Sequence, residues 1–106
     1  EALAGRAKPR YNHPMQANLY ATFRLIAGQK SCLIDLRAAA TVRQAVDALL
    51  EQLPVLRSHW LDEQGVLYPH VHILYDRRDV DTLPAKLDTI LEENAVLDVF
   101  PPVAGG

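Results

Sequence analysis

From Gln16 to Leu25 apolar and polar residues alternate, with Ala17, Leu19, Ala21, Phe23 and Leu25 on one side and Gln16, Asn18, Tyr20, Thr22 and Arg24 on the other. A two-residue period of this kind predicts a half-buried strand. The turn-forming run Ala27-Gly28-Gln29-Lys30 follows, and Ser31 to Leu36 alternates again with Cys32, Ile34 and Leu36 on one face, so the two strands should form an antiparallel hairpin. The period then changes. Thr41 with Gln44 has the spacing of a capping box, and Val42, Ala45, Val46, Leu49, Leu50 and Leu53 recur at 3.6 residues, which predicts a helix that ends near Pro54. Val55 to Asp62 should add a short helical turn that folds Leu56, Trp60 and Leu61 onto the core, with a turn at Glu63-Gln64-Gly65.

Val71, Ile73 and Tyr75 alternate with His70, His72 and Leu74, predicting a third strand that runs into Asp76-Arg77-Arg78-Asp79. Leu83, Leu87 and Ile90-Leu91 read as apolar anchors of a connecting stretch, and Glu92-Glu93-Asn94 as a turn. The last strand spans Val96 to Phe100, with Leu97 and Val99 toward the core and Val96, Asp98 and Phe100 on the opposite side. This order of strand, strand, helix, strand, strand is an α+β arrangement. A right-handed crossover after the first hairpin places the last strand beside the first and parallel to it. The predicted fold is therefore a β-grasp: a mixed sheet of roughly four to five strands with one main helix.

The last strand runs into Pro101-Pro102-Val103-Ala104-Gly105-Gly106. Two prolines cannot continue a sheet ladder, so the chain leaves the strand as a stiff extended exit. Two glycines then strip the side-chain bulk from around the Gly106 carboxylate, which suits it to thread a narrow channel in a partner enzyme and be activated there as an acyl-adenylate. Glu1 to Pro14 carries no apolar period, and Met15 directly precedes the first strand pattern. The expected division is thus an unstructured tail or a remnant of recombinant expression over 1–14 and one β-grasp domain over 15–106, with a flexible Gly-Gly end.

The 106 residues are 49% hydrophobic and 23% charged with a formal net charge of −2, enough for one self-sufficient core. Scattered Lys and Arg argue against a nucleic-acid-binding surface. The single cysteine excludes an intrachain disulfide, and with no signal peptide or membrane span in the sequence the expected location is the cytoplasm. Cys32 falls among core positions and reads as a buried structural thiol. His70 and His72 share a strand face at a spacing metals can use, but no third ligand lies near them, so no metal site is assigned. His59 beside Trp60 reads as a surface or half-buried packing residue, and Arg77-Arg78 first as a solvated turn, with steering of a partner as the alternative. Phe100 is open to two readings, an ordinary sheet residue or a docking patch on the helix-free face. With no Ser-His-Asp pattern, phosphate loop or cysteine pair, so small a domain leaves little room for a catalytic cleft.

Three stretches resemble the MoaD/ThiS branch of the ubiquitin-like proteins, small β-grasp sulfur carriers: the start from Met15 to Arg24, Thr41-Val42-Arg43 with Leu49-Leu50, and above all Asp98 to Gly106. The resemblance implies that the chain is not an enzyme but a protein co-substrate, the small non-catalytic subunit of a sulfur-transfer enzyme such as molybdopterin synthase. Gly106 would be adenylated by a ubiquitin-activating-type adenylyltransferase using ATP and magnesium, and converted with a sulfur donor protein into a thiocarboxylate. No cofactor would be bound tightly by the chain itself. Gly105, Ala104, Val103, Pro102, Pro101 and Phe100 would meet the partners, among them a larger molybdopterin synthase subunit. Related carriers serve thiamine, cysteine or tRNA thiolation, and some become attached to lysines; a third possibility is a β-grasp interaction module whose tail is incidental. The chain departs from the family in two turns, with Asp76-Arg77 where relatives often have Asn-Gly and Glu93-Asn94 where they often have Asp-Gly.

Overall fold

A computed structural model describes residues 13–102. Strand β1 (His13–Leu19) buries Met15, Ala17 and Leu19, as its alternation requires. It runs antiparallel to β2 (Ser31–Leu36), with Met15 opposite Ile34 and Ala17 opposite Cys32. On its other side lies β5 (Val96–Phe100), parallel, with Ala17 opposite Leu97 and Leu19 opposite Val99. Beyond β5 come β3 (His72–Tyr75) and the two-residue β4 (Arg78–Asp79), giving the sheet order β2-β1-β5-β3-β4. The expected parallel neighbour of the first strand is present. β1 begins two residues inside the stretch assigned to the tail, since His13 and Pro14 pair with Leu36 and Asp35. The rest of that assignment, residues 1–12, lies outside the described residues.

The first strand is shorter than its alternation suggested. It stops at Leu19, and helix α1 (Ala21–Ala27) replaces its predicted second half. Phe23 satisfies both a period of two and a period of 3.6, but Phe23, Ile26 and Ala27 are the residues that pack inward, while Leu25 is 78% exposed. That is the helical spacing of three and four. Gly28 closes the helix in the left-handed conformation (φ 76°), its N–H donating to the Arg24 carbonyl at 2.9 Å. Phe23 anchors α1 by a tilted contact with Trp60, ring centroids 5.4 Å apart.

Helix α2 (Val42–Gln52) starts as its sequence dictates: the Thr41 hydroxyl accepts from Gln44 N–H at 3.2 Å, and Gln44 Oε1 accepts from Thr41 N–H at 2.9 Å. Val42, Ala45, Val46, Leu49 and Leu50 form its buried stripe against the sheet. A 3-10 turn (Pro54–Leu56) and α3 (Arg57–Trp60) carry Leu56 and Trp60 into full burial, with Leu61 half-buried. The Glu63-Gln64-Gly65 turn is pinned by Asp62, whose N–H donates to the Val66 carbonyl and whose Oδ1 accepts from Gln64 and Val66 N–H.

Residues 80–91 cross back as two 3-10 turns, Val80–Thr82 and Lys86–Asp88. Leu83 and Leu91 are buried and Leu87 half-buried, but Ile90 is 59% exposed. Leu91 N–H donates to the Ala40 carbonyl and faces in, so its neighbour in this extended stretch faces out. Asp76 (φ 47°) and Arg77 (φ 72°) form the two-residue link from β3 to β4, both left-handed, as a tight hairpin turn demands. Asp76 is held there because its N–H donates to the Val96 carbonyl while its Oδ1 accepts from Val96 N–H. Asn94 is also left-handed, at φ 64°.

Two stability measurements follow. Phe23→Ala should lower unfolding free energy by roughly 3 kcal/mol, whereas Leu25→Ala should stay within about 0.5 kcal/mol; equal effects in urea titrations would contradict a helical 21–27. Replacing Arg77 by Gly relieves a left-handed side-chain clash of about 1–2 kcal/mol and loosens the unfolded chain by somewhat less. The unfolding free energy should therefore rise by a net of roughly 0.5–1 kcal/mol, seen as a higher urea midpoint at unchanged m-value.

Candidate functional site at the strand exit

β5 is paired on both sides, and Leu97 and Val99 are fully buried beneath it. Its other face, carrying Val96, Asp98 and Phe100, is half-buried and points away from the core that the helices among the described residues cover. Parallel registration with β1 sets Asn18 beside Asp98, and antiparallel registration with β3 sets Leu74 beside Asp98 and His72 beside Phe100. The Phe100 ring lies flat on Tyr20, centroids 4.2 Å apart at 9°. Farther along the same face, Leu33 of β2 is 64% exposed.

A hydrogen-bonded chain runs across this face. Tyr20 Oη donates to Asp98 Oδ1 at 2.9 Å, Asn18 Nδ2 donates to the same oxygen at 2.9 Å, and Gln16 Nε2 donates to Asn18 Oδ1 at 2.7 Å. The half-buried Asp98 carboxylate thus accepts two hydrogen bonds at one oxygen. The bond to Asp98 is also the first cause, ahead of burial, that raises the Tyr20 hydroxyl above the ordinary tyrosine value of 10.0. The backbone holds Tyr20 from the other side: its N–H donates to the Val99 carbonyl at 3.3 Å, and its carbonyl accepts from Phe23 N–H at 3.1 Å. Ala21, next in the chain, turns the strand into α1 at φ 53°.

Of the residues expected to form the site, Phe100, Pro101 and Pro102 stand together at the end of β5, with Pro101 half-buried and Pro102 exposed. Val103, Ala104, Gly105 and Gly106 lie outside the described residues. Tyr20 and Asp98 were not singled out as site residues by sequence reasoning. Both belong to the outward-facing set, and only the in-register pairing of β1 with β5 shows that they meet. The remaining candidates are dispersed. His70 stacks on Tyr68, centroids 4.9 Å apart, while His72 sits beside Phe100. Among the described residues no group of three or more His, Cys, Asp and Glu side chains could hold a metal. Cys32 is buried, and burial pushes its thiol pKa up, away from the reactive thiolate. His59 is exposed on α3, and Arg77 and Arg78 are exposed at the β3–β4 turn.

Residues 17–106 match the model of the ThiS family. The chain belongs to that family. It is 36% identical over 92 residues to small archaeal modifier protein 3 of Haloferax volcanii, covering 87% of this chain and 98% of the relative. The crystal structure of SAMP1 from Haloferax volcanii superposes with a TM-score of 0.79 at 32% identity, covering 88% of this chain and 99% of that one. A putative molybdopterin converting factor, subunit 1, from Pyrococcus furiosus superposes with a TM-score of 0.67 at 25% identity, covering 86% of this chain and 99% of that one. This ThiS-family chain is thus a MoaD/ThiS-type ubiquitin-like carrier with the β-grasp fold. No helix among the described residues is long and apolar enough to cross a membrane.

The raised Tyr20 pKa gives a pH test. Folding favours the neutral hydroxyl, so the stabilisation is fully present below about pH 10 and is lost as pH rises through the higher folded-state value. Ring-carbon NMR titration of Tyr20 should place its midpoint above 10.0, and Asp98→Ala should bring it down toward 10.0. An unchanged midpoint in that variant would show that the hydrogen bond is not the cause.

Proposed function

We propose that this chain is a sulfur carrier whose reacting group is the Gly106 carboxylate. The observation that supports this most is the mount: β5 is paired on both sides in the middle of the sheet and leads directly into the rigid Pro101-Pro102 exit. A carboxylate is a poor electrophile because its charge is delocalised over two oxygens. One of those oxygens attacks the α-phosphorus of ATP, pyrophosphate leaves, and the resulting acyl-adenylate carries a good leaving group. The outer sulfur of a persulfide on a donor protein then attacks the acyl carbon and AMP departs, leaving an acyl disulfide; a thiol attacks the donor's sulfur in that bond, a new disulfide forms between thiol and donor, and the thiocarboxylate leaves with both bonding electrons. ATP and magnesium belong to the ubiquitin-activating-type partner, and the carrier itself contributes no acid, base or metal. Phe100, Pro101, Pro102, Val103, Ala104 and Gly105 form the segment that the partners grip.

Delivery of the sulfur to a pterin precursor in a larger molybdopterin synthase subunit is the acceptor reading we favour, supported by the likeness to the Pyrococcus protein. A second reading has its own support. The Haloferax relatives are named as modifier proteins, which supports a reading in which the same activated Gly106 forms an isopeptide with lysines of other proteins.

Incubated with an activating enzyme, ATP and a sulfur source, the chain should exchange one oxygen for sulfur in its intact mass. Deleting Gly106 should abolish the exchange and leave the unfolding midpoint unchanged, since glycine has no side chain to bury. An unmodified mass with an enzyme that thiolates another carrier would defeat the carrier reading. For the modifier reading, substrate lysines should carry the branch 87–106 after trypsin digestion, because Lys86 is the last cleavable residue before the tail.

A further inference from the structure

We propose that Tyr20 is a positioning residue for the tail: by clamping Phe100 it aims the Pro101-Pro102 exit. The inference rests on the carrier reading for its consequence, but its geometry stands apart from it. Strand pairing alone fixes β5 only as far as Phe100, whose Cα lies opposite His72. Past that point a proline fixes φ but not the direction in which the segment leaves. That direction follows the Phe100 backbone, and hence the constraint on its ring.

Tyr20 supplies the constraint from a different strand. Its ring lies parallel to Phe100 at 4.2 Å, its hydroxyl is tied to Asp98 two residues back on the same strand, and its N–H is tied to the Val99 carbonyl. Three contacts from one residue thus reach three successive residues of β5, the last before the prolines. Asn18 completes the clamp by donating to the Oδ1 that receives the tyrosine hydroxyl, which fixes the carboxylate plane. Ala21, left-handed at φ 53°, and the Phe23 amide on the Tyr20 carbonyl anchor the other end in α1. Tyr20 therefore connects a packed helix to the strand that launches the tail.

For an activating enzyme this bears on orientation. A docked carrier reacts only when its carboxylate lies in line with the α-phosphorus, so a poorly aimed exit lowers the reactive fraction of bound complexes and reduces kcat. A mere contact residue would raise KM instead. The test measures adenylation of the full chain as pyrophosphate release, together with Cα–Hα residual dipolar couplings at Pro101 and Pro102 in the free protein. Tyr20→Leu should lower kcat about 10–100-fold with KM within about twofold, and should shrink the two proline couplings while those of β1, β3 and β5 remain. Tyr20→Phe keeps the stack and should recover most of both signals. Asp98→Ala should reproduce the Tyr20→Phe defect and add nothing to it in the double variant.

A KM rise at unchanged kcat would make Tyr20 a docking residue and overturn the proposal. So would proline couplings that do not follow the sheet in the unaltered protein, or that survive Tyr20→Leu. If an enzyme that adenylates another carrier leaves the unaltered chain untouched, the carrier reading fails, and the couplings alone then decide whether Tyr20 aims the exit.

Discussion

The parallel pairing of β1 with β5 is the constraint on which the rest of this structure depends. It joins the two most distant strands in the described chain, and its inward residues Ala17, Leu19, Leu97 and Val99 are all fully buried. Parallel neighbours need a crossover, and here the crossover carries α2 and the Leu56 and Trp60 anchors onto one face of the sheet. Lateral order follows: β2 and β4 become edges, and β5 becomes interior. β5 is paired on both sides as far as Val99 and by β3 alone at Phe100, so the segment that follows starts from a held base.

The same pairing organises the opposite face. Because Asn18 lies beside Asp98 and Tyr20 follows Leu19, three polar side chains converge on one another on this face. Shared between Asn18 and Tyr20, the Asp98 carboxylate ties Tyr20 to β5. The sheet thus has one face devoted to packing, with no buried polar or charged residue among those described, and one face where polarity is used for geometry.

How much of this is legible in the sequence depends on whether a signal is local. The capping box at Thr41 and Gln44, the α2 stripe and the β5 alternation are all written within one element, and each has the form expected of it. Helix α1 is harder, because Phe23 fits a period of two and a period of 3.6 equally well and Gly28 suits a hairpin turn as readily as a helix end; the inward Ile26 beside an exposed Leu25 is what separates them. Ile90 looks like a core anchor by composition, yet its orientation is decided by Leu91, which docks against Ala40. Arg77 adopts a conformation that its residue type disfavours, since the hairpin and the grip of Asp76 on Val96 outweigh local preference. The aromatic clamp is legible only once strand register is known, because Tyr20 and Asp98 are 78 residues apart.

A division of labour follows from where the apolar residues stop. Up to Val99 the β5 residues alternate between core and open face, and the burial of Leu97 and Val99 sets stability. After Phe100 the sequence turns to two prolines and later to two glycines, residue types that bring stiffness and then absence of bulk and that suit the reacting end of the carrier reading better than a core. Phe100 belongs to both regimes: backbone-paired to β3 like a strand residue, but with its ring on the open face against Tyr20. Substitutions in α2 should therefore alter how long the mount survives, and substitutions around Phe100 how well it aims. A carrier can change partner by altering the second set without disturbing the first, since the two sets lie on opposite faces of one sheet.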